Sequence, residues 1–293
     1  MNLINVNKPI EDLSEPSPGS LYLVATPIGN LSDLSPRAQT ILKNVSLVAC
    51  EDTRRSGQLL KIINSKAPLL SYHKHNIKSR LPQILEILKK QGSIALISDA
   101  GLPGISDPGE ELVRAARFKN FKVVCIPGPC AAITALVISG LPSQRFCFEG
   151  FLPKKQSLRK KIINRISQEE RTTIIYESPY QIVNLLEQLS KSCGDNRPIQ
   201  IGRELTKRYE ESIGQTIKEA IEYFQTKPPR GEFTIVLGGN LKPKQDNAQS
   251  ELEAINKLKS LISEGHKIKE AAKIIAEETG YSKNWLYSKY TKK

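Results

Sequence analysis

Five times before residue 140 a short apolar run breaks off in a loop of turn-forming or charged residues, and a helical pattern follows. No other feature of the chain restricts its fold so strongly. Apolar runs without alternation suit strands covered on both faces, and strands that alternate with helices build a parallel sheet. The runs lie at 21–25, 46–50, 68–72, 93–97 and 122–126. The fourth unit is the densest. Its strand runs into 96–109, Leu-Ile-Ser-Asp-Ala-Gly-Leu-Pro-Gly-Ile-Ser-Asp-Pro-Gly, where Asp99, Gly101, Pro103, Gly104, Asp107, Pro108 and Gly109 crowd turn-formers around two carboxylates. Such a backbone can approach a ligand closely. Ligands in open α/β sheets bind beyond the carboxyl ends of strands, so a site is expected at this loop.

The other four units supply loops at the same end. Thr26-Pro27-Ile28-Gly29-Asn30 has the proline and glycine of a second close-approach loop, and Ser35-Pro36 then caps and opens a helix carrying Ala38, Ile41 and Leu42 on one face. Glu51-Asp52-Thr53-Arg54-Arg55 reads either as a functional charge cluster or as an N-cap with a surface ion pair. His73 and His75 lack the third and fourth ligands that a metal site needs. The small residues after Pro127-Gly128-Pro129-Cys130 begin a helix whose first N–H groups can face a carboxylate or phosphate.

A flexible leader is expected over 1–19, with Pro9, Pro16 and Pro18 and no apolar secretory core, followed by an α/β domain over 20–140. A hinge at 140–143 leads to a second α/β domain over 141–240, with strands at 146–150, 172–176, 198–202 and 232–236. Its helix over 158–167 carries Arg159, Lys160, Lys161 and Arg165, as a solvated face or as a polyanion contact. Glu177-Ser178-Pro179 and Arg203-Glu204-Leu205-Thr206 add loops to a shared cleft. A polar linker over 241–250 precedes two helical stripes, Gly280 stops the second, and Ser282 caps a third helix with Lys283 and Lys289. This segment, 241–293, reads as a helix-turn-helix unit or as a plain three-helix cap.

The 43 basic against 30 acidic residues, net +13, favour a polyanionic partner, because counterion release rewards cations placed on phosphates. Cys50, Cys125, Cys130, Cys147 and Cys193 form no C-x-x-C pair, which argues against structural zinc and disulfides and for a reducing, cytoplasmic setting. No run approaches a membrane span. No G-x-G-x-x-G follows a strand, and Walker A and G-x-S-x-G motifs are absent.

The strings LYLVATPIGNLSDLSPRA, ACEDTR, SYHKHN, ISDAGLPGISDPG, PGPCAA, FEGFLP, YESP and RELTK occur in this order. Together they resemble the bacterial 16S ribosomal RNA cytidine 2'-O-methyltransferase family, within the tetrapyrrole-methylase-like enzymes, from about residue 21 to 240 and more weakly beyond. The resemblance implies two α/β domains, the first with a parallel and the second with a mixed sheet, in a homodimer. It implies S-adenosylmethionine held between the domains rather than on a Rossmann glycine loop, and methylation of a cytidine ribose in the decoding (P-site) region of 16S ribosomal RNA in the small subunit. By motif matching the cofactor touches Pro27, Ile28, Gly29, Asp99, Ala100, Gly101, Leu102, Ile105, Ser106, Ala131 and Ala132, with Tyr176, Leu205 and Gly231 closing it from the second domain. Leu102, Cys130 and Lys74 stand where the family usually has threonine, serine and glutamate. That puts a polar contact from position 130 in doubt, because a thiol is the weaker donor.

Because a sulfonium methyl is already activated, alignment of the ribose oxygen is the main requirement and a general base is secondary. Base candidates are Glu51, Asp52 and His73 in the first domain and Glu177 on the opposite wall. Arg54, Arg55, Arg159, Lys160, Lys161, Lys283 and Lys289 are the candidate RNA contacts. Rival readings are a methylase of a small tetrapyrrole and a nucleic-acid-binding regulator that senses the cofactor.

Overall fold

A computed structural model of the chain describes residues 15–240, 247–279 and 281–291. The described residues fall into two compact units, one within Met1–Asn240 and one within Leu241–Lys293. In the first, the five sequence units become β1 (Ser20–Val24), α1 (Pro36–Asn44), β2 (Leu47–Cys50), α2 (Thr53–Ile62), β3 (Leu69–Ser71), α3 (Ile77–Lys89), β4 (Ile94–Ile97), α4 (Glu110–Phe118), β5 (Lys122–Ile126) and α5 (Ala131–Ser139). The strands pair in parallel in the order β3-β2-β4-β1-β5. Ser35 caps α1 by accepting from the Ala38 N–H at 3.1 Å, and Ala38, Ile41 and Leu42 are buried.

Side chains alternate across this sheet, and each face has its own core. Tyr22, Val24, Val48, Cys50, Ala95 and Ile97 pack under α1 and α2, while Leu21, Leu47, Ala49, Ile94 and Leu96 pack under α3 and α4. Adjacent strands β1 and β4 therefore send their helices to opposite faces. A crevice opens between their carboxyl ends, at the position where doubly wound sheets bind ligands.

The second sheet is built from β6 (Phe146–Phe151), β7 (Thr172–Glu177), β8 (Ile199–Arg203), β9 (Glu211–Ile213) and β10 (Phe233–Leu237), with α6 (Gln156–Gln168), α7 (Ile182–Cys193) and α8 (Ile217–Thr226). It is mixed, in the order β6-β7-β10-β8-β9, with β6 and β7 parallel and the other pairs antiparallel. Its core joins Ile163 and Ile166 of α6 to Leu185, Leu186 and Leu189 of α7 and to Ile201 and Ile235 of the sheet.

The leader expected over 1–19 lies outside the described residues as far as residue 14. From there the chain is tied down: Arg37 donates to Glu15 at 2.6 Å and the Ser17 N–H to the Tyr22 hydroxyl at 2.8 Å. The expected linker over 241–250 lies outside the described residues up to 246, and its remainder opens a helix rather than a linker. That helix is α9 (Asn247–Ser263), followed by α10 (Ile268–Thr279) and α11 (Lys283–Thr291). The stop expected at Gly280 also lies outside the described residues. Leu258, Ala271, Ala272, Ile275 and Leu286 form the core of this second unit.

Candidate functional site

The fourth loop is drawn back onto the first. The Thr26 N–H donates to the Gly101 carbonyl at 2.9 Å and the Gly101 N–H to the Thr26 carbonyl at 3.1 Å, while the Thr26 hydroxyl reaches the Ser98 carbonyl at 3.2 Å. Gly101 holds φ +82°, and a Cβ there would stand 3.2 Å from Ile28 Cγ2. Glycine is what lets the two loops close. Ser106, with φ +65°, is a non-glycine residue in the left-handed region on the same loop, a local cost that such sites tolerate.

Between these loops and the second sheet lies a cleft of about 400 Å³. From the first domain it is lined by Ile28, Arg55, Asp99 to Leu102, Ile105 to Asp107, Cys130 and Ala131. Phe151, Tyr176 to Pro179, Leu205 and Glu232 to Thr234 face them. Asp99 accepts from the Asp52 N–H at 3.2 Å and pairs with Arg55 at 3.4 Å. Asp107 was passed over as a site residue by the sequence reading, although it sits in the same motif. Burial, with Glu51 and Asp99 nearby, pushes its carboxyl up to about 6.

Most of the residues expected at the cofactor do line the cleft, but four do not. Gly29 packs against the second domain, where a Cβ would collide with Lys207 and stand 3.0 Å from Thr206 Oγ1. Gly231, at φ +90°, lies under the Glu204 carboxylate, and Pro27 is outside the lining. Ala132 is engaged differently from expectation: its N–H donates to the Tyr176 hydroxyl at 3.1 Å, so a phenol occupies part of the helix terminus expected to face an anion. Burial pushes the Tyr176 phenol up to about 12, which keeps it neutral and able to accept. Cys130 makes no side-chain cap to α5.

The catalytic candidates separate. Asp52 is the N-cap of α2, accepting from the Arg54 N–H at 2.8 Å and pairing with the Arg54 guanidinium at 2.9 Å. Those bonds hold its carboxyl down at about 2. His73 lies outside the cleft lining, with Nδ1 accepting from the His75 N–H at 3.3 Å. Glu51 also lies outside the lining and acts on Asp107 by its charge. Glu177 does line the cleft, but its carboxylate is engaged elsewhere. It is buried with Arg159 at 2.8 Å, and it accepts from the Ser178 N–H at 2.8 Å.

That pair corrects the basic face expected on α6. Consecutive helical residues do not share a face. Arg159 falls with Ile163 and Ile166 on the inward side and is 3% exposed, whereas Lys160 and Lys161 are exposed. Among the other cations, Arg54 is committed to Asp52 and Arg55 lies on the cleft wall. Lys283 is exposed at the start of α11, and Lys289 lies over the Trp285 ring at 5.5 Å. Among the described residues no group of three or more His, Cys, Asp or Glu side chains could hold a metal, and no helix is long and apolar enough to cross a membrane.

A parallel sheet and a mixed sheet with a ligand-sized cleft between them are the architecture of the tetrapyrrole methylases. The tetrapyrrole (corrin/porphyrin) methylase family matches residues 20–221. The protein of Haemophilus influenzae named ribosomal RNA small subunit methyltransferase I is 47% identical over 271 residues, covering 92% of this chain and 95% of its own. Its namesake in Synechocystis is 44% identical over 269 residues, 92% and 96% of the two chains. Among solved structures, cobalt precorrin-4 methyltransferase aligns with a TM-score of 0.57 at 14% identity, over 75% of this chain and 95% of its own. Uroporphyrin-III C-methyltransferase of Thermus thermophilus aligns at 0.54 with 17% identity, over 75% and 94%, and both likenesses are of fold alone. The chain belongs to the ribosomal RNA small subunit methyltransferase I family of the tetrapyrrole methylases.

Proposed function

We propose that this protein methylates ribosomal RNA of the small subunit with S-adenosylmethionine, placing the methyl on the 2'-oxygen of a cytidine in the decoding region of 16S RNA. One observation carries the reading: the cleft joins an apolar, partly aromatic wall of Ile28, Ala131, Tyr176 and Leu205 to the carboxylates Asp99 and Asp107. An adenine needs the first and a cationic sulfonium with its amino group suits the second. The residues present therefore fit that cofactor, which when bound supplies an activated methyl group. Asp99, fixed by the Asp52 N–H and Arg55, holds the polar end. Asp107, with its carboxyl near 6, can take a proton from a hydroxyl at neutral pH. Arg55, on the wall and rim, suits an RNA phosphate.

Substrate size supports RNA over a small tetrapyrrole: the chain carries net +13 and an additional three-helix unit with exposed lysines. A regulator that merely senses the cofactor would not need Asp107 in the cleft. A second copy of the chain belongs to the reading. α5 is apolar but for Thr134 and Ser139, and Ile133, Val137 and Ile138 are left exposed on it, a surface suited to a twofold contact. Digestion of methylated small subunits to nucleosides tests the chemistry: 2'-O-methylcytidine is expected, and a base-methylated product would contradict it. Calorimetry tests the cofactor site, where Asp99→Ala is expected to weaken S-adenosylmethionine by about tenfold or more. Unchanged affinity would move the cofactor elsewhere.

A further inference from the structure

The outer strand of the second domain is interrupted where it reaches the cleft. Phe148 pairs with Ile174, Gly150 with Ile175 and Phe151 with Tyr176, so Glu149 is the extra residue of a β-bulge. Gly150 takes φ +62° there. In an unbroken strand Phe148 and Phe151, three residues apart, would point to opposite faces. The bulge turns both toward Tyr176, with ring centroids 5.1 Å and 5.5 Å from its ring. A Cβ on Gly150 would stand 2.9 Å from Ser106 Oγ, so the bulge also rests against the loop that carries Asp99 and Asp107. Phe148 is half-buried by this arrangement. Phe151 lines the cleft yet is 62% exposed.

A large aromatic ring that is held by its neighbours and left open at a cleft mouth lacks a partner for most of its surface. The geometry points to Phe151 as the platform on which the base of the target nucleotide stacks after it has turned out of the RNA, a role that rests on the RNA methyltransferase reading above. Two observations and one chemical constraint select a nucleobase. The wall of buried Ile28 and Leu205 and partly buried Ala131 lies further in and takes the cofactor, which leaves the outermost ring to the substrate. A ribose oxygen enters this cleft only if its nucleotide leaves the stack, and unstacked bases are held on aromatic side chains. Arg55 lines the opposite wall with its side chain 70% exposed, placed for the phosphate of the same nucleotide.

Methylation of purified small ribosomal subunits by Phe151→Ala, Phe151→Leu and Phe151→Trp tests this, with S-adenosylmethionine affinity and solution mass measured on each. Loss of a base stack lowers kcat/KM for the subunit by about 5- to 150-fold in the alanine variant. Leucine is expected to fare little better, tryptophan to stay close to the wild type, and cofactor affinity and mass to be unchanged throughout. Phe118→Ala, which removes an 87% exposed ring at the far end of α4, is expected to change nothing. A fully active leucine variant would reduce Phe151 to apolar packing and overturn the platform. So would weakened cofactor binding or a change in mass, which would assign the ring to the cofactor or to a subunit contact. Wild-type activity on the subunit with equally active Phe151 variants overturns the platform alone. A wild-type protein that leaves the subunit unmethylated overturns the functional reading and the platform with it.

Discussion

Arg159 and Lys160 are neighbours in one basic run and have opposite fates. A charge run in sequence does not show which member faces inward; the apolar spacing of Ile163 and Ile166 does, because Arg159 precedes them by four and seven positions. The buried pair with Glu177 at 2.8 Å then defines what Arg159 does. Arg159→Ala strands a buried carboxylate, so a loss of about 3–5 kcal/mol is expected in denaturant unfolding. An RNA-contact role would leave stability within about 0.5 kcal/mol of the wild type. Asp107 gives a second test, in pH. Its folded carboxyl, raised to about 6 by burial and by Glu51 and Asp99, favours the protonated form, so its contribution to stability is full below the unfolded value near 4 and is lost as pH rises through about 6. Asp107→Asn removes that loss. The variant is expected to gain on the order of 1 kcal/mol relative to wild type between pH 4 and 8, after allowance for the solvent that still reaches the group. Thermal unfolding across that range measures it, and a difference independent of pH would contradict the assignment. Both carboxylates of the 96–109 motif were visible in the sequence. That one of them would have its carboxyl pushed up to about 6 was not, since the burial comes from the assembled fold and Glu51 acts on it from just beyond β2.

Whole elements were easier to read than their ends. A serine cap with a following proline predicts α1 and a helical pattern over 110–118 predicts α4, and both form there. The pattern over 81–90 predicts a helix from Leu81, but α3 begins four residues earlier, at Ile77, because Pro82 is accommodated within the helix. α7 was missed although Ile182, Leu185, Leu186 and Leu189 repeat at helical spacing, whereas the three-residue β9 and the bulge in β6 depend on pairing partners distant in sequence. α5 is apolar but for Thr134 and Ser139, so periodicity says little about which face is covered. Ile133→Asp with Val137→Asp is expected to convert a dimer to monomers in sedimentation; a wild-type monomer, or an unchanged dimer, would contradict a subunit contact there. On α6, Lys160→Ala with Lys161→Ala is expected to flatten log affinity against log salt by about 0.7 to 0.9 per phosphate released, and parallel slopes would return these lysines to solvent.

At the scale of the molecule, opposite helix placement after β1 and β4 opens the crevice, and the second domain completes it with Tyr176 and Leu205. That the first sheet is parallel was legible because buried strands and helices alternate; the strand order of neither sheet was, and in the second β10 inserts between β7 and β8 from far along the chain. The cleft, the net charge of +13 and the family together make RNA methylation the central claim. Transfer of label from S-adenosylmethionine, measured side by side on small ribosomal subunits, free 16S RNA and a tetrapyrrole, tests it most directly. Label is expected in the ribosomal RNA and not in the tetrapyrrole, and methylation of the tetrapyrrole with none of either RNA acceptor would contradict the account.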